Sequence, residues 1–169
     1  MSKSTIEWTE STWNPVTGCN KISEGCDNCY AERMAKRLKA MGQQNYINGF
    51  EVVCHPHMLD APLKWKKSNM VFVNSMGDVF HEKVPLDFIK QVFGVMNIAD
   101  QHFYQVLTKR AKRLLELSEM IKWDSHIWMG VTVESKTFKY RIDYLRKTPA
   151  KIKFLSLEPL LGSLGELNL

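Results

Sequence analysis

Apolar and polar residues alternate along the chain in blocks that predict strands and helices in turn. Short apolar runs such as residues 70–73 and 127–133 are typical of buried strands. Between the strands, apolar residues recur every three or four positions, as on one face of the helix predicted over residues 85–99. The pattern predicts strands at 11–17, 70–73, 103–107, 127–133 and 151–157, helices at 31–41, 85–99, 111–121 and 136–147, and an irregular stretch at 43–68 with a short extended piece at 50–53.

Strands that alternate with helices indicate parallel βα units and an α/β fold. Right-handed crossovers wind such units in one direction, so we expect a TIM-type barrel or part of one, with about five units. The chain of 169 residues fits a single domain, 1–169. In such folds the chemistry lies at the carboxyl ends of the strands, and polar residues follow every predicted strand here.

Composition and the first residues bear on where the protein works. An apolar fraction of 44% is ordinary for a globular protein, and the net charge of +5 leans towards anionic partners. Residues 1–8 lack the apolar stretch of a signal peptide, and no run approaches the roughly 18 apolar residues of a membrane span. We therefore expect no membrane association and a cytoplasmic location, where thiols stay reduced.

Three of the four cysteines lie on one loop, spaced C-x6-C-x2-C at Cys19, Cys26 and Cys29. A structural zinc ion would need a fourth ligand, for which Cys54, His55 and His57 are candidates. A disulfide is disfavoured in the cytoplasm, and three unrelated thiols are improbable at so short a spacing. A [4Fe–4S] cluster held by three thiolates would leave one iron open to bind a substrate or cofactor.

Five motifs stand out, at residues 13–19, 25–32, 72–78, 106–110 and 154–160. Together they resemble the phage Gp37/Gp68 family (DUF5131), which is itself similar to the radical S-adenosylmethionine (SAM) enzymes. The resemblance implies a partial TIM-type (βα) barrel of the radical-SAM type. The family pattern continues with a further strand and a Gly-Gly-Glu-Ser-like turn, so we expect a short or C-terminally truncated member.

The resemblance implies residue roles that the pattern alone does not give. Cys19, Cys26 and Cys29 would hold a [4Fe–4S] cluster whose open iron binds SAM. The turn at residues 74–78 would meet the SAM amino group, although it also suits a helix cap. Arg110 is a candidate for the SAM carboxylate or a phosphate, whereas Arg141 is predicted to point into water. The cofactor-binding residues implied are Tyr30, Asn74, Ser75, Gly77, Asp78, Lys109, Thr132, Glu134 and Glu158.

The run 64–67 mixes basic residues with an aromatic one, and 109–113 is a second basic run. Together they make nucleic acid or a nucleotide the expected substrate, although both runs also suit solvated surfaces. Radical chemistry would further require an electron donor, and a phage-encoded protein would work in the host cytoplasm. The alternative function is a non-catalytic zinc or iron–sulfur module that binds nucleic acid or a phage partner protein. An exposed sheet edge would also invite a partner chain.

Overall fold

The structure, a computed structural model, describes residues 6–169. Residues 1–5 lie outside the described residues, and they belong to the segment 1–8 that is predicted not to be a signal peptide. None of the helices in the described part of the chain is both long enough and apolar enough to cross a membrane. The strands are β1 (Ser11–Trp13), β2 (Val16–Thr17), β3 (Val53–Cys54), β4 (Met70–Val73), β5 (Phe103–Thr108), β6 (Ile127–Thr132) and β7 (Ile152–Ser156). The α-helices are α1 (Tyr30–Ala40), α2 (Leu86–Ile98), α3 (Ala111–Ser118) and α4 (Tyr140–Arg146).

Five strands form one parallel sheet in the order β1-β4-β5-β6-β7. Neighbours in the sheet therefore follow one another along the chain, with α1, α2, α3 and α4 in the connections. The predicted α/β class with parallel βα units is confirmed. The sheet does not close on itself, because β1 and β7 are its two edges.

The strand predicted over residues 11–17 is wrong in its second half. The chain leaves the main sheet after Trp13, and Val16–Thr17 pairs antiparallel with Val53–Cys54 as a separate two-stranded ribbon. Pro15 lies at the break, where its missing N–H and fixed φ disfavour continued pairing in a sheet. The Asn14 side chain stabilises the new direction, since its Oδ1 accepts a hydrogen bond from the backbone N–H of Met76 at 2.9 Å.

Alternation along the strands decides which face of the sheet forms the main core. In β5, Tyr104 and Val106 are fully buried and pack with the apolar faces of α2, α3 and α4. The helix predicted at 85–99 is confirmed as α2, whose buried face holds Phe88, Ile89, Val92, Phe93 and Met96. The other face of the sheet carries side chains such as Gln105, Trp128 and Phe154, which line a cavity instead.

Some predicted boundaries shift by a turn. The helix predicted at 136–147 begins as a 3-10 turn, Lys136–Phe138, before α4. The helix predicted at 111–121 ends at Ser118, where the Ser118 hydroxyl bonds back to the Leu115 carbonyl at 2.9 Å. Such a side-chain bond competes with the continuing helical ladder.

Candidate functional site

The cysteine loop and the turns after β4, β5 and β6 meet at the carboxyl edge of the sheet. They enclose a cavity of about 160 Å³, lined by Cys19, Cys26 and Cys29. A larger cavity of about 760 Å³ reaches the same three cysteines from the outside, between residues 50–52 and 81–83. Nine of the predicted site residues thus lie around one space, which is lined by Cys19, Cys26, Cys29, Asn74, Ser75, Gly77, Asp78, Lys109 and Thr132.

Gly18 starts the cysteine loop in a conformation that needs glycine. Its φ is +82°, and a Cβ there would lie 2.0 Å from the Glu51 carbonyl oxygen. This close approach lets the next residue, Cys19, donate its backbone N–H to the Phe50 carbonyl at 3.2 Å. The segment around residue 50 therefore fixes the place where the first cysteine enters the cavity.

Glu134 contacts the middle of the cysteine loop, at Ser23 and Gly25. Its carboxylate is fully buried, and Oε1 accepts a hydrogen bond from the Ser23 hydroxyl at 2.5 Å. A Cβ on Gly25 would lie 2.6 Å from the same carboxylate, so the loop backbone rests directly on it. Glu134, one of the predicted cofactor-binding residues, thus lies beneath the loop that carries Cys26.

Arg141 is buried, and the prediction that it points into water is wrong. Its side chain is 1% exposed, and Nη1 donates to Glu134 Oε2 at 2.6 Å and to the Thr132 carbonyl at 2.7 Å. The guanidinium also lies 4.2 Å from the ring centre of Phe138. A buried carboxylate requires such a partner, because an unpaired charge in the interior is strongly unfavourable.

Every N–H group of the Arg110 guanidinium already has a hydrogen-bond partner within the protein. Nε donates to Glu82 at 3.0 Å, Nη1 to Asp78 at 3.1 Å and to Cys19 Sγ at 3.3 Å, and Nη2 to both oxygens of Asn20. A guanidinium has five N–H groups, so none is left for a SAM carboxylate or a phosphate. Arg110 instead fixes the first cysteine.

The Cys19 thiol is protonated at neutral pH in the metal-free protein. Burial raises its pKa, the negative charge of Asp78 raises it further, and Arg110 opposes both, which leaves the pKa at about 11. A metal that takes this sulfur as a thiolate would displace the proton. The Arg110 guanidinium, 3.3 Å away, would then donate its hydrogen bond to a negatively charged Cys19 sulfur.

Asp78 and Asn74 differ in what they leave free for a ligand. The Asp78 carboxylate accepts from Phe80, Thr108, Lys109 and Arg110, so it is occupied by the protein itself. Asn74 is 3% exposed, and its Oδ1 accepts from the Val16 N–H at 3.4 Å. This bond orients the amide and leaves Nδ2 buried without a partner at the cavity wall.

Two further predicted residues line the same cavity as this unpaired donor. The Ser75 hydroxyl donates to Asn14 Oδ1 at 3.2 Å and keeps its lone pairs for a ligand. The ammonium of Lys109 lies 3.9 Å from Glu134, and its side chain is 22% exposed. Lys109 is therefore a cation of this cavity that remains accessible.

Tyr30 and Glu158 lie further out. Tyr30 is the first residue of α1 and is 58% exposed, and Glu158 is exposed and lines a different cavity, on the open face of the sheet.

The proposed fourth ligands for zinc have other partners. Cys54 belongs to the two-stranded ribbon, His55 bonds to the Thr17 hydroxyl at 2.8 Å, and His57 bonds to Asn45 at 3.1 Å.

Several residues that shape the site escaped the sequence reasoning. Asn20 and Ser23 lie inside the cysteine loop, and His81 and Glu82 follow the predicted turn at residues 74–78. The His81 ring hydrogen-bonds to Asn20 Oδ1, and the same oxygen accepts a hydrogen bond from Arg110 Nη2. The position of Asn20 and Ser23 between the spaced cysteines was the one available signal, whereas His81 and Glu82 lie outside the motifs.

All four cysteines are free thiols, and within residues 6–169 no three His, Cys, Asp or Glu side chains stand in the arrangement of a metal site. The chemistry of the residues still fits a cluster, because three thiols and an unpaired amide donor face one cavity. The chain was also compared with known proteins. The model of a family described as 'protein of unknown function (DUF5131)' matches residues 3–169. No curated protein and no solved structure matches the chain.

Proposed function

The chain belongs to the DUF5131 family, and from its three clustered cysteines and the resemblance of its motifs we propose that it is a radical SAM-type enzyme. Cys19, Cys26 and Cys29, which line both cavities, would bind a [4Fe–4S] cluster, and the polar end of SAM would bind beside it against the wall of the smaller cavity. When bound, the cluster would pass one electron to SAM, whose S–C5′ bond breaks to give methionine and a 5′-deoxyadenosyl radical that takes a hydrogen atom from the substrate.

The observation that carries this proposal is the common cavity of the three cysteines. Their loop is short, and Gly18 and Glu134 fix it so that all three side chains line the same wall. A volume of about 760 Å³ lies within the usual range for cofactor sites. Three ligands and adjoining free space are what a cluster with one open iron requires.

The remaining wall offers groups for the polar end of SAM. Lys109 would pair with the carboxylate, because its ammonium is accessible and Arg110 has no N–H to spare. The unpaired Asn74 Nδ2 would donate to a second oxygen of the same carboxylate, and Ser75 would accept from the ammonium. These three groups bind and orient the cofactor, whereas Asp78, Thr132 and Glu134 support the walls.

The fold and the setting complete the proposal. A parallel sheet whose strands follow in chain order is the arrangement of a (βα) barrel, and we propose that this sheet is a part of one, of the radical-SAM type. From the resemblance to the phage family we propose a host cytoplasm as its setting, where a reduced one-electron carrier would act as donor. Nucleic acid or a nucleotide remains the proposed substrate.

The test is metal content after anaerobic purification, with each cysteine changed in turn to serine. We expect iron and sulfide in the wild type, and strong loss of both in Cys19→Ser, Cys26→Ser and Cys29→Ser. Cys54→Ser is the matched control and should keep the cluster, because Cys54 lies in the ribbon. Zinc without sulfide would support the non-catalytic metal module instead.

A further inference from the structure

The face of the sheet opposite the main core carries an aromatic groove. Phe72, Gln105 and Trp128 lie side by side on adjacent strands, because the register pairs Phe72 with Gln105 and Gln105 with Trp128. Their side chains point away from α2, α3 and α4, since the alternate residues of each strand fill the main core. A cavity of about 350 Å³ lies over Gln105, Trp128 and Phe154.

Aromatic rings form the floor and one wall of this groove. A Cβ on Gly130 would lie 2.5 Å from the Phe154 ring, so the missing side chain lets that ring lie across β6. On the other side, the Trp8 ring stacks edge-on against Phe72 at 4.7 Å and is 43% exposed. Flat apolar surfaces of this kind suit a planar ring, since stacking on an aromatic side chain stabilises a base by about 1–3 kcal/mol.

Two buried polar atoms within the groove have no partner. Gln105 is 9% exposed, and its Oε1 accepts no hydrogen bond. The indole N–H of Trp128, on the next strand, donates none. A buried acceptor and donor left unpaired each cost about 1–3 kcal/mol, which a ligand with the complementary groups would recover.

We propose that this groove binds the base of a nucleotide through an amino group beside a ring nitrogen, as adenine and cytosine present them. The amino group would donate to Gln105 Oε1, and the ring nitrogen would accept from Trp128 Nε1. The base would stack between the ring of Phe154 and the ring of Trp8. Purely apolar occupants, such as another protein face, would leave both polar atoms unpaired.

The groove continues towards the cysteines. Leu107 lines both the groove and the smaller cysteine cavity. It lies two residues beyond Gln105 on β5, a distance of about 7 Å at the usual rise of a strand. The bound base is therefore the substrate end of the site, an assignment that rests on the proposed function, whereas binding itself needs no cluster.

The test measures binding to the metal-free protein by calorimetry and tryptophan fluorescence. The probes are adenosine monophosphate, purine riboside monophosphate, which lacks the amino group, and a short single-stranded oligoadenylate. We expect the first to bind about tenfold more tightly than the second, the effect of one hydrogen bond to a buried acceptor. In Gln105→Leu this difference should vanish, because the acceptor is gone.

Gln91→Leu is the matched control, since Gln91 is exposed on α2, which packs against the other face of the sheet, and it should retain the tenfold preference. Trp8→Ala removes an exposed ring and should weaken both mononucleotides equally. Tighter binding of the oligoadenylate would assign the base to nucleic acid, and tighter binding of the mononucleotide to a free nucleotide. Because no iron is present, these results are independent of the test for the cluster.

Four results would overturn the proposal. The first is no binding of any probe, and the second is a preference for the amino group that survives in Gln105→Leu. The third is competition by SAM in the cluster-loaded protein, which would make the groove the site of the cofactor's own adenine. A dimer that forms without nucleotide and is lost in Trp8→Ala would likewise show that a second copy covers the face.

Discussion

Replacing Arg141 by methionine should destabilise the protein by about 3 kcal/mol. Arg141 is 1% exposed and Glu134 is fully buried, so the substitution leaves a carboxylate in the interior without its guanidinium. Removing one partner of such a pair typically costs 3–5 kcal/mol. The lower end applies here, because Ser23 still donates to Glu134 and Lys109 lies 3.9 Å away.

The assay is urea unfolding followed by circular dichroism. With a slope of about 2 kcal/mol per molar urea, a loss of 3 kcal/mol lowers the midpoint by about 1.5 M. Arg146→Met is the matched control on the same helix. Its partner Asp143 lies at 2.5 Å, but both side chains are well exposed, and such pairs contribute less than about 1 kcal/mol.

A double variant separates the buried charge from lost packing. Glu134→Gln combined with Arg141→Met removes both fully buried charges, and Gln can still accept from Ser23, while Lys109 keeps its contact with solvent. We expect it to recover at least half of the stability that Arg141→Met alone loses. Equal losses for Arg141→Met and Arg146→Met, or no recovery in the double variant, would refute the claim that a buried ion pair supports the cysteine loop.

Three further predictions concern the site itself. In an iron assay, Gly25→Ala should show iron loading reduced severalfold. The reason is that its Cβ would lie 2.6 Å from the Glu134 carboxylate and would displace the cysteine loop. At pH 8, Cys19 in the metal-free protein should react with iodoacetamide about 100-fold more slowly than an unstructured cysteine, because a pKa raised from 9.0 to about 11 lowers the thiolate fraction by that factor. Lys109→Met should weaken SAM binding to the loaded protein about tenfold, as one lost charge-assisted bond does, whereas Lys112→Met, which changes an exposed lysine, should have no effect.

Each of these has an outcome that contradicts it. Gly94→Ala is the control for Gly25→Ala, because a Cβ at Gly94 meets nothing within 4 Å, and equal loss of iron in both variants would argue against the contact with Glu134. Rapid alkylation of Cys19 at pH 8 would show that the thiol is not held protonated. Unchanged SAM affinity in Lys109→Met would leave the carboxylate without its proposed partner.

Local patterns were sufficient to predict most of the secondary structure. β4, β6 and α2 follow from apolar runs or helical spacing that involve no distant residue, and all three are confirmed. The strand predicted at 11–17 failed because β2 pairs with β3, about 37 residues further on, and no local pattern in 16–17 indicates which sheet it joins.

Burial of charged groups was the part of the site that the sequence did not predict. Arg141 lies inside because Glu134, the loop residue Ser23 and the Thr132 carbonyl meet there, and only the fold brings them together. Arg110 likewise has its partners about 30 and 90 residues away along the chain. Parallel strands explain why the cysteine loop and residues 74–78 were nonetheless expected at one edge.

The measurement that tests the central proposal most directly is electron paramagnetic resonance of the reduced, anaerobically purified protein, with and without SAM. We expect the signal of a reduced [4Fe–4S] cluster whose g values shift when SAM is added, since SAM would bind the open iron. Lys109→Met should require more SAM for the same shift. A cluster signal that SAM does not change, or the absence of any cluster, would contradict the proposal.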